Sequence, residues 1–404
     1  MSRTSPSTRI AVLGGAGAMG RITVRDLCET APADVEVIVS DRNSRGARAL
    51  VKHLGALYPT RRIRAVACDV AHRAAAAKLL GGVAGLINCC HHDLNLRAMQ
   101  LALAIGSHYT DLGGLFHVTR EQLKLHAQFK KRGLLALLGM GAAPGIVNVL
   151  ARAAADEMDR VHEIHIAVAG IDRAAHPANR VLATSYAIQT VLDEASLPAP
   201  TFTNGRFGSA PAMSEPETID FPDPVGTQRP SRTIHSEVAT LPLSFKKKGI
   251  RDVSFRIAFP PELDRQLRLL SALGLLSRQP VGVGRARVAP RDLLTALLQQ
   301  MPKPSVAAVP DEYEILRVAV RGEHDGRPVE EVMVCHAPGI PAWSVGVDAD
   351  TGCPPSIAMQ LLLRGEIAAR GVLPPEVAVP VAPFFAELDR RGMRVERASA
   401  QRKS

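Results

Sequence analysis

The stretch from Ile10 to Gly20 constrains this chain more than any other. A short apolar run, Ile10-Ala11-Val12-Leu13, stops at Gly14-Gly15-Ala16-Gly17-Ala18-Met19-Gly20, and a helical pattern from Arg21 to Leu27 follows. Gly15, Gly17 and Gly20 hold the G-x-G-x-x-G spacing, and each has a physical task. Gly15 permits a tight turn, Gly17 lets the backbone approach a pyrophosphate, and Gly20 lets the helix pack closely on its strand. The helix N-terminus, with Ala18 and Met19 in its first turn, offers free N–H groups and partial positive charge to phosphates. A second apolar run, Val35 to Val39, ends at Ser40-Asp41, and Asp41 lies twenty-one residues beyond Gly20. That is near the offset expected of an acid that binds a ribose diol. Strand, glycines, helix, strand and acid in this order predict dinucleotide binding; the competing reading is a glycine-rich turn with a structural role only.

Alternating strand-like and helix-like segments continue to residue 138. Ile63–Ala67 reads as a third strand ending at Cys68-Asp69, Ala71–Leu80 as a helix, and Gly85–Ile87 as a fourth strand ending at Asn88. Leu94–Ile105 has helical apolar spacing and stops at Gly106; Tyr109–Leu112 is a fifth strand, Thr119–Arg132 a helix closed by Gly133, and Leu134–Leu138 a sixth strand. The order predicts an α/β class protein with a doubly wound parallel Rossmann sheet in residues 1–148. Residues 149–347 then show period-two alternation, as in His162–Val168 and Val253–Phe259, which predicts a mixed α+β substrate and dimerisation domain built on an antiparallel sheet. Leu197–Arg232 is rich in Pro, Gly and Ser and reads as loop for much of its length, while residues 322–326 sit where a hairpin should turn. Helical segments at Pro355–Arg364, Gly365–Arg370 and Pro383–Arg391 predict that residues 348–404 return to the Rossmann domain.

Composition narrows the function classes. The formal charge of +10 invites a nucleic-acid reading, but basic and acidic residues are interspersed, the one lysine run is 246–248, and aromatics are 4% of the chain. There is no stacking platform for bases, so nucleic acid is not the expected partner. No apolar stretch is long enough to span a membrane and Met1–Thr8 is polar, which predicts a cytoplasmic protein with no membrane partner. The six cysteines lack metal or secretory spacing and read as free thiols.

Candidate site residues fall at the strand ends. Asp41 is expected to accept from the ribose 2′-OH, favouring NAD with NADP left open, and Arg42 to stack on adenine or hold a 2′-phosphate. Asp69, Asn88 and Cys89 close the third and fourth strands and join the cofactor set. Asn88-Cys89-Cys90-His91-His92 admits three readings: a metal site, a nucleophilic cysteine, or the lining of a nicotinamide pocket. The third is preferred, with no metal, His92 as the acid–base group and His91 beside the substrate. Asp111 is expected to orient the substrate ammonium or relay its proton, or else to cap the Gly113-Gly114 turn. Gly141 and Pro144 should let backbone touch the nicotinamide, and Gly113, Gly145 and Asn148 should meet the substrate, Asn148 alternatively capping its helix.

Several segments together resemble the saccharopine dehydrogenase family of lysine-pathway oxidoreductases, and within it the lysine 6-dehydrogenase type. They are Gly15–Gly20, Leu86-Ile87-Asn88, residues 109–114, residues 141–148, Ser236-Glu237, residues 239–242, 351–355 and 364–367, and Gly371-Val372-Leu373-Pro374-Pro375-Glu376. The resemblance implies a nucleotide domain interrupted by a mixed sheet that shapes the substrate pocket and builds a homodimer. It also implies hydride transfer between NAD(P) and the amine of a small amino-acid substrate, lysine or a relative. His92 stands where relatives often carry tyrosine. Ser236 and Glu237, inside a matched segment, become substrate candidates, Glu237 for an amino group; His235 and Arg232 suit a carboxylate by charge alone. Alternatives are reductive amination of the saccharopine or carboxynorspermidine kind, and a non-catalytic NAD-binding regulator.

Overall fold

A computed structural model describes residues 8–174, 182, 188–300 and 310–398. The nucleotide half contributes β1 (Arg9–Leu13), β2 (Glu36–Asp41), β3 (Arg62–Ala67), β4 (Gly85–Asn88), β5 (His108–Asp111) and β6 (Leu135–Leu137). Helices α1 (Ala18–Thr30), α2 (Ser44–Leu57), α3 (Arg73–Leu80) and α4 (Asn95–Ile105) connect the first five strands. All pairings are parallel, and the order 6-5-4-1-2-3 is the doubly wound arrangement. Burial explains the apolar runs. Ile10 and Val12 face one core and Ala11 and Leu13 the other, as a strand covered on both faces requires. The predicted stop of α4 at Gly106 is observed, with φ +72.

The expected helix over 119–132 is instead two, α5 (Leu115–Leu123) and α6 (His126–Lys131). Between them the ladder tightens to i→i+3 bonds, Lys124 N–H to Glu121 C=O and Leu125 N–H to Gln122 C=O, with no Gly or Pro to announce it. Helix α7 (Ile146–Asp156) then leads into the second half.

That half begins with β7 (Arg160–Asp172), α8 (Ile188–Glu194) and the hairpin β8 (Ala199–Thr203) to β9 (Arg206–Ala210). Short strands β10 (Ile219–Asp220), β11 (Thr227–Gln228) and β12 (Ser231–Arg232), helix α9 (Glu237–Ser244) and β13 (Asp252–Ala258) follow. A small hairpin, β14 (Val281–Val283) and β15 (Ala286–Val288), precedes the long hairpin of β16 (Glu312–His324) and β17 (Arg327–Ala337). The segment 197–232 is loop for more than half its length, as expected, but five short strands interrupt it. Its Asn204-Gly205 turn, φ +51 and +75, is a hairpin signal that the Pro/Gly content masked. The second sheet is also not purely antiparallel, since β7 and β13, the two strands quoted for their alternation, run parallel to one another.

The final segment divides itself between both sheets. Residues 365–370 are irregular rather than helical, because Gly365 (φ +81) ends the helix Pro354–Leu363 and the chain must extend into β18 (Gly371–Leu373). β18 pairs with β6 as a seventh parallel strand, whereas β19 (Arg394–Ala398) pairs with β17 in the second sheet. Helix α7 and both sheets share one apolar core.

Candidate active site at the carboxyl edge of the nucleotide sheet

The strand order reverses between β1 and β4, and ligands of such sheets sit in the crevice outside that point. The left-handed residue of the glycine loop is Gly14 (φ +66), so the tight turn falls one residue before Gly15. A Cβ on Gly20 would stand 2.1 Å from Gly14 O, so α1 rests directly on the loop. Gly17 caps α1 with no side chain and no acid stands in the first turn; Gly17 and Ala18 are exposed, with Met19 buried beneath them. A solvent-facing, uncapped helix start of this kind fits a pyrophosphate.

Asp41 accepts from Ala16 N–H (3.0 Å) and Asn43 N–H (2.8 Å), tying the glycine loop to β2. Arg42 lies exposed beside it, and Asp69, also exposed, caps its own turn through Ala71 N–H (2.8 Å). These groups rim the end of the crevice suited to an adenosine.

The expected Asn88 contact with cofactor is not what its side chain makes. Asn88 Nδ2 donates to Asn95 Oδ1 (2.9 Å) and Tyr109 Oη (3.3 Å), and its Oδ1 accepts from Cys90 N–H (3.2 Å), all within a fully buried network. Asp111 belongs to the same network. Its carboxylate accepts from Gln122 Nε2 (2.6 Å), Tyr109 Oη (2.9 Å), Gly139 N–H (2.8 Å) and Gly113 N–H (3.0 Å), and it is 0% exposed. Four donors occupy it, so Asp111 braces the β5 and β6 loops against each other, and a direct proton relay to substrate finds no open oxygen. Burial nonetheless raises its pKa despite those donors. Cys89 approaches Thr23 Oγ1 (3.6 Å), and burial pushes the thiols of both Cys89 and Cys90 up to about 12, away from the thiolate that a nucleophilic cysteine needs.

Between the braced loops, Pro144 lies against Gly113 and Gly139, and Gly145 (φ +133) lies so near Gly141 that a Cβ would stand 2.0 Å from Gly141 O. Only glycine permits this fold-back, which closes with Gly141 N–H on Pro144 C=O (2.7 Å). Asn148 is drawn away from the crevice. It accepts from Gly145 N–H (3.0 Å) and donates to Glu376 Oε2 (2.8 Å), whose other oxygen takes Ser244 Oγ (2.9 Å). The capping reading of Asn148 is therefore the one its contacts support.

Opposite these loops stands a wall from the second half. His92 Nε2 lies 3.8 Å from Asp193 Oδ2, on α8, across the crevice. Burial, then the neighbouring His91 ring at 4.0 Å, lowers the His92 pKa to about 4, so it is neutral at physiological pH. His91, His92 and Asp193 converge within 4.8 Å, but Asp193 already holds Arg291 (2.7 Å) and Arg278 (2.9 Å), and a metal ion would have to displace two guanidinium groups. Next along α8, Glu194 Oε1 meets His235 Nε2 (3.2 Å), whose Nδ1 meets Glu237 Oε2 (3.2 Å). His235 is thus engaged on both nitrogens by carboxylates, not free for a substrate carboxylate. Burial alone would lower its pKa, but Glu237 and Glu194 carry it up to about 9. Ser236 Oγ lies 3.6 Å from the Cβ direction of Gly113. Arg232 turns aside to Glu215 (2.5 Å). Glu314 and Asp350 extend the wall. Burial raises both: Glu314 to about 7, where the Asp350 hydrogen bond opposes the shift and the charges of Glu312 and Glu194 add to it, and Asp350, pushed further by Glu314, well above the carboxylate range. Asp193, Glu194, Glu314 and Asp350 escape sequence reasoning, although Asp350 adjoins the matched segment beginning at Thr351.

A doubly wound sheet with an open phosphate cradle, facing an acid-lined second domain, defines a dinucleotide-dependent oxidoreductase architecture. Family models for the saccharopine dehydrogenase NADP binding domain and the saccharopine dehydrogenase C-terminal domain match residues 10–137 and 141–393. The chain belongs to the saccharopine dehydrogenase family, and its cofactor is NAD(P). Among its relatives is carboxyaminopropylagmatine dehydrogenase of Synechocystis, 23% identical over 399 residues, 94% of this chain and 95% of that one. Carboxynorspermidine synthase of Vibrio cholerae is 26% identical over 273 residues, covering 66% of this chain and 63% of the relative. Apo saccharopine dehydrogenase (L-Glu forming) from Saccharomyces cerevisiae superposes with a TM-score of 0.70 at 17% identity, covering 97% of this chain and all (100%) of that one. Homospermidine synthase from Legionella pneumophila in complex with NAD gives 0.63 at 12% identity, over 98% and 93% of the two chains.

Proposed function

We propose that this protein catalyses NAD(P)-dependent hydride transfer at the carbon–nitrogen bond of a carboxylated polyamine. In the reductive direction, an amino-acid semialdehyde and a primary amine condense to an imine with loss of water. Hydride addition to its carbon and proton addition to its nitrogen give the secondary amine. The observation that carries this reading is the acidic wall. Asp193, Glu194, Glu237, Glu314 and Asp350 gather opposite the β5 and β6 loops, with His235 among them. Arg278 and Arg291 neutralise Asp193, and burial draws Glu314 and Asp350 toward their neutral forms. The remaining negative charge of the wall lies with Glu194 and Glu237 around His235, which favours a substrate carrying a second cationic group over a monoamine. The names of the two relatives, each a carboxylated polyamine compound, support the same class.

The roles divide as follows. The exposed start of α1 with Gly17, Ala18 and Met19 holds the pyrophosphate, and Asp41, Arg42 and Asp69 hold the adenosine end. Cys89, Gly141 and Pro144 back the nicotinamide, which, when bound, supplies or accepts the hydride. His92, neutral through the working range, can accept the proton that the substrate nitrogen gives up in the oxidative direction, the proton of the reductive direction coming from solvent, and His91 packs beside it. Gly113 and Gly145 leave room for the reacting carbon, while Asp111 and Asn148 act as positioning residues.

Absorbance at 340 nm tests the reading. NADPH or NADH should be oxidised with a short amino-acid semialdehyde plus 1,3-diaminopropane, putrescine or agmatine. Oxidation of L-lysine with NAD⁺ at about pH 9 to 10, where its ammonium begins to deprotonate, is the competing assay. Turnover with lysine alone would restore a lysine 6-dehydrogenase, and no turnover with any amine would overturn the enzyme.

A further inference from the structure

We propose that Glu237, set by His235 and Glu194, is the subsite for the distal ammonium or guanidinium group of the amine substrate; this rests on the oxidoreductase reading above.

Three ionisable groups from two segments, the end of α8 and the start of α9, form one unit. His235 lies between Glu194 and Glu237 at 3.2 Å on each side, and its ring stacks on Phe255 at 3.6 Å between centroids with the planes 15° apart. The stack fixes the ring so that each nitrogen meets one carboxylate. One imidazolium against two carboxylates leaves the unit with a net charge of −1. Glu194 is 2% exposed, His235 6% and Glu237 0%, so solvent does little to dissipate that charge.

The unit is also incomplete. Glu237 Oε2 is engaged by His235, while Oε1 is buried with no hydrogen-bond partner among the described residues, as is the neighbouring Ser236 Oγ. A carboxylate oxygen left unpaired inside a protein is costly, and the group that best relieves it is a cationic donor. The other acids of the wall do not offer this. Asp193 is neutralised by Arg278 and Arg291, Glu314 and Asp350 engage one another, and Asp111 carries four donors. Ser236, between His235 and Glu237 in sequence, abuts Gly113 at the β5 edge. The open oxygen therefore belongs to a unit that adjoins Gly113, on the loop after β5, through Ser236. His235 is a positioning residue: with both nitrogens occupied it cannot meet substrate, but it holds two carboxylates together that would otherwise repel.

The test compares 1,3-diaminopropane with propylamine, which lacks the distal cation, in wild type, E237Q, E194Q and H235Q. E237Q should raise KM for the diamine by about tenfold or more, the scale of one lost charge-assisted hydrogen bond, with a smaller change in kcat. KM for propylamine should be the same in E237Q and wild type. H235Q should raise KM for the diamine with no effect on propylamine. Calorimetric titration of 1,3-diaminopropane into the NADP⁺-bound protein gives a readout independent of turnover, with heat expected for wild type and not for E237Q. If E237Q does not fold, judged by circular dichroism, E194Q takes its place with the same expectations. Equal KM changes for both amines, or equal diamine binding by wild type and E237Q, would overturn the subsite. Wild-type binding without any turnover would instead overturn the oxidoreductase reading and leave the subsite standing.

Discussion

The phosphate-binding crevice and the acidic wall that faces it are built by opposite means. The crevice is made from contiguous main chain. Residues 14 to 20 form the turn, the close approach and the helix start, and the one side chain that ties them down, Asp41, comes from the next strand. The wall is made from side chains on α8, the α9 start, β16 and the segment at Asp350, which meet only when both sheets are formed. Backbone geometry specifies a phosphate because every N–H is the same. A particular amine needs charges placed at particular points, and those come from distant positions.

Four changes would break or sharpen this contrast. The largest effect is expected from Gly20→Val, since its Cβ would stand 2.1 Å from Gly14 O and must push α1 off the loop. A misplacement of about 1 Å costs on the order of a hundredfold in rate, so NADPH oxidation should slow by that scale and NADPH binding, read by fluorescence, should weaken with it while the second sheet stays folded. Asp193→Asn, which leaves Arg291 buried with a weakened partner, should cost about 3 kcal/mol in urea unfolding, with nucleotide affinity unchanged. Should nucleotide affinity fall equally, crevice and wall are one unit rather than two.

The third concerns pH. His235, raised to about 9 from an ordinary value near 6.5, is protonated in the folded protein while its unfolded counterpart is not. Its stabilisation is therefore fully present below about pH 6.5 and lost as pH rises through about 9, on the order of 3 kcal/mol. Thermal unfolding of wild type should show that decline, and H235Q should flatten it; parallel profiles would mean that the charge sits elsewhere. The smallest effect is expected from Asp41→Ala, which removes two hydrogen bonds to backbone N–H groups, worth about 1 kcal/mol each. Titration with both dinucleotides should show NADH weakened more than NADPH, because the acid that favours a free 2′-OH has gone while Arg42 remains. An equal loss would confine Asp41 to bracing the loop.

The two regions were also unequally legible. Gly17, Gly20 and Asp41 could be placed from their spacing, because a βαβ turn is specified within some thirty residues of chain. Even there a detail slipped: the left-handed turn residue is Gly14, since spacing alone does not say which of two adjacent glycines turns. Asp111 and Asn148 were located at the right edge with two readings each, ligand or cap, and their contacts are those of caps: Asp111 accepts from Gly113 and Gly139 N–H, while Asn148 accepts from Gly145 N–H through Oδ1 and donates through Nδ2 to Glu376. A polar residue at a strand end reads alike whether it faces a ligand or the loop beside it. His235 was assigned a carboxylate by charge alone and proves to hold two of the protein's own.

By itself the sequence determined the parallel nucleotide sheet and its glycine turn, because these follow from apolar periodicity and glycine spacing over short range. Only the tertiary structure decided that β7 and β13 run parallel, that the chain's end supplies one strand to each sheet, and that Glu194, His235 and Glu237 converge. Charges more than forty residues apart leave no periodic trace in a single chain. They are brought within hydrogen-bonding distance by the packing of the apolar core that the two sheets share.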